Sequence, residues 1–205
     1  MSPREPLLHP IPIRDLRPTQ LTVGYREVED KRRHWREKQK KDGGGDFLGA
    51  HMIPVLLGPK GRRYVIDHHH LARALLEEGV SEVLTSVVAD LSHLEKAAFW
   101  VFADHRGWAH PYDADGVRQP ISDLPKSVAD LADDPFRSLA GELRRAGGYA
   151  KDPTPFAEFL WADFLRRRLK RKLVETDFTA AMREALQLSK TPEAAYLPGW
   201  CGPTD

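Results

Sequence analysis

Asp67-His68-His69-His70 sets a carboxylate and three imidazoles side by side, directly after the apolar run Tyr64-Val65-Ile66 and directly before the helical pattern Leu71-Ala72-Arg73-Ala74-Leu75. Histidine is costly to bury unless its ring nitrogens find partners, so three in succession argue for more than packing. A helix start also offers unpaired N–H groups and partial positive charge, which suit phosphate and other anions. The chemistry open to such a junction is phosphate binding, proton transfer or metal ligation. Asp67 could hold a metal, orient a histidine or act as a base, and either Asp67 or His68 is placed to cap the helix. Side chains of adjacent histidines diverge, unlike zinc ligands spaced one helical turn apart. Zinc would need two of them plus a distant third ligand such as His105, His110 or Asp113, so no resident metal site is assigned.

A second polar cluster runs from Asp104 to Gly116 and contains His105, Arg106, Trp108, His110, Tyr112, Asp113 and Asp115. Trp108 and Tyr112 suit stacking on a flat ligand, with His110 and Asp113 reading its polar groups. The Trp108–Gly116 loop is expected to lie against His69 and His70 as one wall of a shared pocket. The alternative is a structured loop whose aromatics fill the core beneath it.

Two basic stretches, Lys31–Lys41 and Arg166–Lys172, could contact nucleic-acid phosphates. Both fall in helical patterns, where charge runs are usually solvated faces, and neither shows a recognition-helix or zinc-finger spacing. The formal net charge of +1 supplies no global attraction to nucleic acid.

Composition bounds the rest. At 205 residues, with 41% hydrophobic and 30% charged content, the chain can bury one sizeable core or one core plus a helical appendage. No apolar run approaches the roughly 18 residues of a membrane span, and Met1–Pro6 lacks the apolar core of a signal peptide. The single cysteine, Cys201, excludes an intramolecular disulfide framework. These features lead us to expect a cytoplasmic protein.

The elements that must position the histidines follow from periodicity and breakers. Residues 1 to 10 are proline-rich and read as irregular. Ile11–Leu16 reads as an edge strand, because Pro12 cannot donate to a ladder. Tyr25–Lys41 reads as a charged helix ended by a mobile Gly43-Gly44-Gly45 loop. Ile53–Leu57 and Arg62–Ile66 form a hairpin around Gly58-Pro59-Lys60-Gly61. His69–Glu78 is a helix with Leu71, Ala72, Leu75 and Ala74 inward, closed by Gly79. Val83–Ala89 alternates into a buried strand, and Ser92 caps a helix over 94–105. After Gly107 strand signals disappear, and helices are predicted over Ser127–Ala132, Pro135–Ala146, Pro155–Leu173 and Phe178–Ser189. The architecture is therefore α+β: a small mixed β-sheet with helices over residues 8–92, then a helical C-terminal half over 93–205, either separate or packed on the core.

Ile53–Leu57, the Gly58–Gly61 turn, Tyr64-Val65-Ile66-Asp67 and His69-His70 resemble the core of the ParB/sulfiredoxin fold, and Ile11–Gln20 resembles its opening strand and proline-containing exit. The small bacterial ParB-like nuclease proteins are the nearest whole-chain pattern. The Asp-x-His-His loop is similar to that of the archaeal free-serine kinase branch, which implies phosphate contacts at His69 and His70; a nucleotide with Mg2+ held through Asp67 is a further reading of the same loop. His68 stands where that motif has glycine, which tolerates backbone angles that histidine rarely adopts. Leu71 stands where it has arginine, and Arg73 could supply the missing cation. The kinase-like branch carries a glutamate after the opening proline. Here Gln20 cannot act as a base; Glu27, or else Glu29, could substitute after a local shift, or both are exposed carboxylates at a helix start, where the macrodipole favours them. Three functions stay open. The first is a protein that binds a small phosphate-bearing ligand and transfers a phosphoryl group to a small metabolite, with Asp67, His69, His70 and Glu27 as catalytic candidates. In it, His68, Arg73, Trp108, His110, Tyr112 and Asp113 bind the ligand. The second is a ParB-like nucleic-acid-binding protein or nuclease. The third is a non-catalytic member of the fold.

Overall fold

The structure, a computed structural model, describes residues 10–203; the irregular start read for residues 1 to 10 lies almost wholly outside them. In chain order the strands are β1 (Ile11–Pro12), β2 (Leu16–Pro18), β3 (Thr22–Val23), β4 (Ile53–Gly58), β5 (Arg62–Val65), β6 (Glu82–Val83), β7 (Thr85–Asp90) and β8 (Ala132–Asp133). The helices are α1 (Tyr25–Asp42), α2 (Gly45–Ala50), α3 (His69–Glu77), α4 (Lys96–His105), α5 (Pro135–Arg145), α6 (Ala157–Arg166), α7 (Arg171–Thr176) and α8 (Phe178–Ser189). The fold class is α+β, with small mixed sheets and helices. The chain divides into two compact units. One takes the residues up to Leu21, Val28–Pro111 and Pro120–Leu131; the other takes Thr22–Glu27, Tyr112–Gln119 and Ala132 onward.

The first unit is built on a four-stranded sheet in the order β2-β5-β4-β7, with a separate antiparallel pair β1–β6. β4 and β5 form the antiparallel hairpin, while β2 runs parallel to β5 and β7 parallel to β4. The hairpin turn needs its glycines. Gly61 has φ of 66°. A Cβ on Gly58 would lie 2.5 Å from the Tyr64 ring, so only glycine lets that ring fold over the strand. α3 buries Leu71, Ala72, Ala74 and Leu75, and Gly79 at φ 76° ends it. Each fully buried leucine contributes about 1.5–3 kcal/mol. α4 presents Phe99 and Ala103 to Leu56 and Tyr64 of the sheet.

Several expectations for this unit are corrected. Ile11–Leu16 is not one strand, because a 3-10 turn at Ile13–Asp15 splits it into β1 and β2. Gly45 opens a short helix rather than extending a loop, with Gly44 left-handed at φ 77° before it. Trp35 fills the space a Gly44 side chain would need, at 2.5 Å. Val83–Ala89 is two strands, and β7 is a sheet edge whose Val87 and Val88 are each 50% exposed. An alternating pattern marks one covered face, but it does not tell a central strand from an edge. α4 starts after Glu95 with no side-chain cap, and Ser92 lies three residues ahead of that boundary in a turn where its N–H donates to Asp90 at 3.0 Å. Ser127 does cap, but it caps a 3-10 turn at Val128–Asp130 rather than a helix.

The second unit packs α5, α6, α7 and α8 around Phe136, Leu139, Leu143, Trp161, Phe164 and Leu165. Pro135 sits in the first turn of α5 with Asp134 as its N-cap, and α8 runs as its periodicity predicts. Strands do persist beyond Gly107: β8 pairs in parallel with β3. The predicted 155–173 helix is broken into α6 and α7, since Lys170 is extended at ψ 130° between them.

Candidate phosphate site at the β5–α3 junction

β5 ends at Val65, and three residues later His68 stands at the N-terminal boundary of α3 with φ 62° and ψ 26°. This is the left-handed region, which glycine enters freely and histidine enters at a cost. The chain thus makes at His68 the turn that a glycine would make. Neither Asp67 nor His68 caps α3, contrary to expectation. Asp67 instead accepts the N–H of His68 on Oδ1 at 2.6 Å, and no side chain caps the helix. The first turn of α3 carries no acidic residue. The carboxylate nearest in the chain is Asp67, just ahead of the turn on the His68 N–H.

The three histidines separate in environment. His68 is exposed, His70 half-buried and His69 buried at 4% exposure. His69 Nε2 accepts the backbone N–H of Thr19 at 3.2 Å. Since that nitrogen accepts, the ring proton belongs on Nδ1. Thr19 is itself buried, donates its hydroxyl to the Val65 carbonyl at 2.7 Å, and accepts the His110 N–H on its own carbonyl at 2.8 Å. The exit of β2, the end of β5, the start of α3 and the segment around His110 therefore meet at one threonine. Gln20, also buried, bridges in parallel to His110. Sequence reasoning overlooked Thr19. No local pattern marks it, because all of its partners are distant in the chain.

The other candidate residues take varied places. Arg73 pairs with Glu77 at 2.5 Å and donates to the carbonyls of Val128, Ala129 and Leu131, so its guanidinium holds the turn at 128–131. Trp108 is half-buried, with the Arg106 guanidinium 5.0 Å from its ring centroid and Phe102 at 5.9 Å. Tyr112, Asp113 and Glu27 belong to the second unit, whereas Trp108 and His110 belong to the first. Within its unit, Asp113 closes its own loop. Its carboxylate accepts the N–H groups of Asp115 and Val117, each at 2.9 Å, and the amide of Gln119 at 2.5 Å. Burial opposes ionisation there, yet these bonds hold its carboxyl below the usual range. Tyr112 bridges to Arg118. Glu27 lies over Gly141, where an added Cβ would come 3.2 Å from its Oε2.

Many cations of the two basic stretches are paired. Arg32 and Arg36 both bond Glu78, and Arg33 pairs with Asp30. Arg166 reaches Asp134 and Asp163, and Arg171 reaches Glu175 and Asp115. Among the described residues no group of three or more His, Cys, Asp or Glu side chains is placed to hold a metal ion, and no helix is long and apolar enough to cross a membrane.

None of the curated proteins compared matches the chain. The crystal structure of protein Atu1540 from Agrobacterium tumefaciens is similar over 97% of this chain and 100% of that one, at 55% identity and a TM-score of 0.89. A family model described as "Putative ParB-like nuclease" matches residues 9–167, from ahead of β1 to the end of α6. That match takes in most of the chain, including the whole β5–α3 junction, and on it the chain belongs to the ParB-like nuclease family.

Proposed function

We propose that the β5–α3 junction binds a phosphate group and that the chain acts there on phosphate esters, the phosphodiester bonds of nucleic acid first. The observation that carries this reading is the left-handed His68 at an uncapped helix start. Backbone strain of this kind costs about 1–3 kcal/mol and persists only where the surrounding structure holds it, and it clusters at ligand sites. His68 and His70 contact the phosphate with the N–H groups of the first turn, and His69 positions the loop through Thr19. In hydrolysis, one imidazole takes the proton of the attacking water and another gives a proton to the leaving oxygen as the phosphorus–oxygen ester bond breaks. Family membership favours the phosphodiester substrate.

A small nucleotide, carrying Mg2+ that Asp67 helps to hold, is the second reading. It is favoured by the pairing of Arg32, Arg33 and Arg36 with acids of their own unit, which leaves fewer cations for a polynucleotide. The test joins two measurements. Inorganic phosphate should raise the melting temperature of the wild type, and His68→Ala with His70→Ala should remove that rise. A rise that survives in the double variant overturns the site. Cleavage of a labelled oligonucleotide, lost in the same variant, supports the nuclease reading. Hydrolysis or transfer from a nucleotide alone supports the second.

A further inference from the structure

α4 is apolar on two faces. Its inner face, Phe99 and Ala103, is fully buried on the sheet. Its outer face carries Ala97, Ala98, Val101 and Phe102, all exposed, with Val101 at 58% and Phe102 at 41%. Positions i, i+1, i+4 and i+5 form one continuous stripe along a helix. A helix with apolar residues all round is ordinarily covered on all sides, and this one is covered on one. The ends of the stripe are charged and opposite. Exposed Glu95 stands at the N-terminal boundary, and exposed His105 and Arg106 stand at the C-terminal end.

We propose that this stripe is a self-complementary interface on which a second copy of the chain docks, α4 against α4 in antiparallel fashion about a two-fold axis. Such an axis makes the same patch serve both partners. On a helical wheel Glu95 and Arg106 fall on the same flank of the stripe. Antiparallel reversal about its centre then sets Glu95 of one copy opposite Arg106 of the other, twice over. The same reversal sets the large Phe102 against the small Ala98, so bulk meets space as charge meets countercharge. Antiparallel helices also bring opposite ends of their dipoles together. The one helix face is short, so the dimer is of modest affinity and depends on these end pairs for its register.

Sedimentation velocity over about 1 to about 100 µM protein, a range that brackets micromolar dissociation constants, decides the matter. The wild type is expected to pass from monomer to dimer. Ala98→Lys, which replaces an exposed alanine with another good helix former, should leave helicity unchanged and weaken association at least about tenfold. Phe102→Glu should do the same. Arg106→Glu should weaken association, and adding Glu95→Arg should restore it to within about threefold of wild type. The proposal is overturned by a wild type that stays monomeric throughout, by an Ala98→Lys variant that dimerises as the wild type does, or by a double reversal no tighter than Arg106→Glu alone.

Discussion

Nε2 of His69 lies 3.2 Å from the backbone nitrogen of Thr19, fifty residues earlier in the chain, and accepts its N–H in the buried layer where β2, β5 and α3 meet. One imidazole of the three is thereby committed to structure, while His68 stays exposed and His70 half-buried. The difference is measurable. His69→Ala removes a buried ring and leaves a buried N–H without its acceptor, at a cost of about 2–4 kcal/mol. His68→Ala, at an exposed position, should change stability by no more than about 0.5 kcal/mol. Urea unfolding of both variants compares them, and equal losses would show that His69 has no such role.

His68→Gly should raise stability by about 0.5–1 kcal/mol, because glycine occupies φ 62° without the clash that a Cβ brings. Phosphate binding should weaken in the same variant, since the imidazole is lost. Opposite movements of melting temperature and ligand response would mark a residue kept for its side chain despite its strained backbone.

Asp134 carries two loads in the second unit. Its Oδ1 caps α5 by accepting the Phe136 N–H at 3.0 Å, and its Oδ2 pairs with Arg166 at 2.5 Å. It is 2% exposed, and burial pushes its carboxyl up despite the arginines nearby. Asp134→Asn keeps the cap and breaks the ion pair, at a cost of about 1–3 kcal/mol, since Asp163 still pairs with Arg166. Asp134→Ala loses the cap as well, about 1 kcal/mol more. Chemical denaturation that ranks Ala above Asn in damage supports both roles.

Glu78 receives hydrogen bonds from Arg36 and Arg32, which hold its carboxyl at about 2 against an ordinary value of 4.5. A lowered carboxyl value means that the folded state binds the proton less readily than the unfolded state does. The stabilisation is therefore full above the ordinary value and is lost as the pH falls towards 2. With solvent screening discounted, this is about 1 kcal/mol. Unfolding measured between pH 6 and pH 2 should show a loss in the wild type that is smaller by that amount in Glu78→Gln.

Phosphate affinity should fall as pH rises from about 5.5 to about 8, because imidazole attracts phosphate strongly only in its cationic form. Calorimetry across that range, with and without a chelator, reads the sign. Tighter binding at higher pH would instead point to neutral imidazoles on a metal.

Where periodicity and chain breakers agree over one short stretch, the amino-acid sequence alone determined the element. The charged helix α1, the β4–β5 hairpin with its Gly58 and Gly61, α3 with its apolar face and closing Gly79, and the helices α5 and α8 are of this kind. So is the strand-to-helix placement of Asp67–His70, since hydrophobic runs and caps act between near neighbours. Side-chain direction and long-range pairing were decided only by the tertiary structure. That His69 rather than His68 or His70 turns inward depends on where the exit of β2 passes. Likewise, Arg73 is held by the carbonyls at 128–131, and Arg166 of the basic run is pulled into Asp134. The edge position of β7 was equally hidden, because alternation records which face is covered and not which strand lies alongside. Thr19 left no trace at all. Its three bonds reach residues 46, 50 and about 90 positions away, and contacts of that span are made by folding, not by any pattern a neighbouring residue can carry.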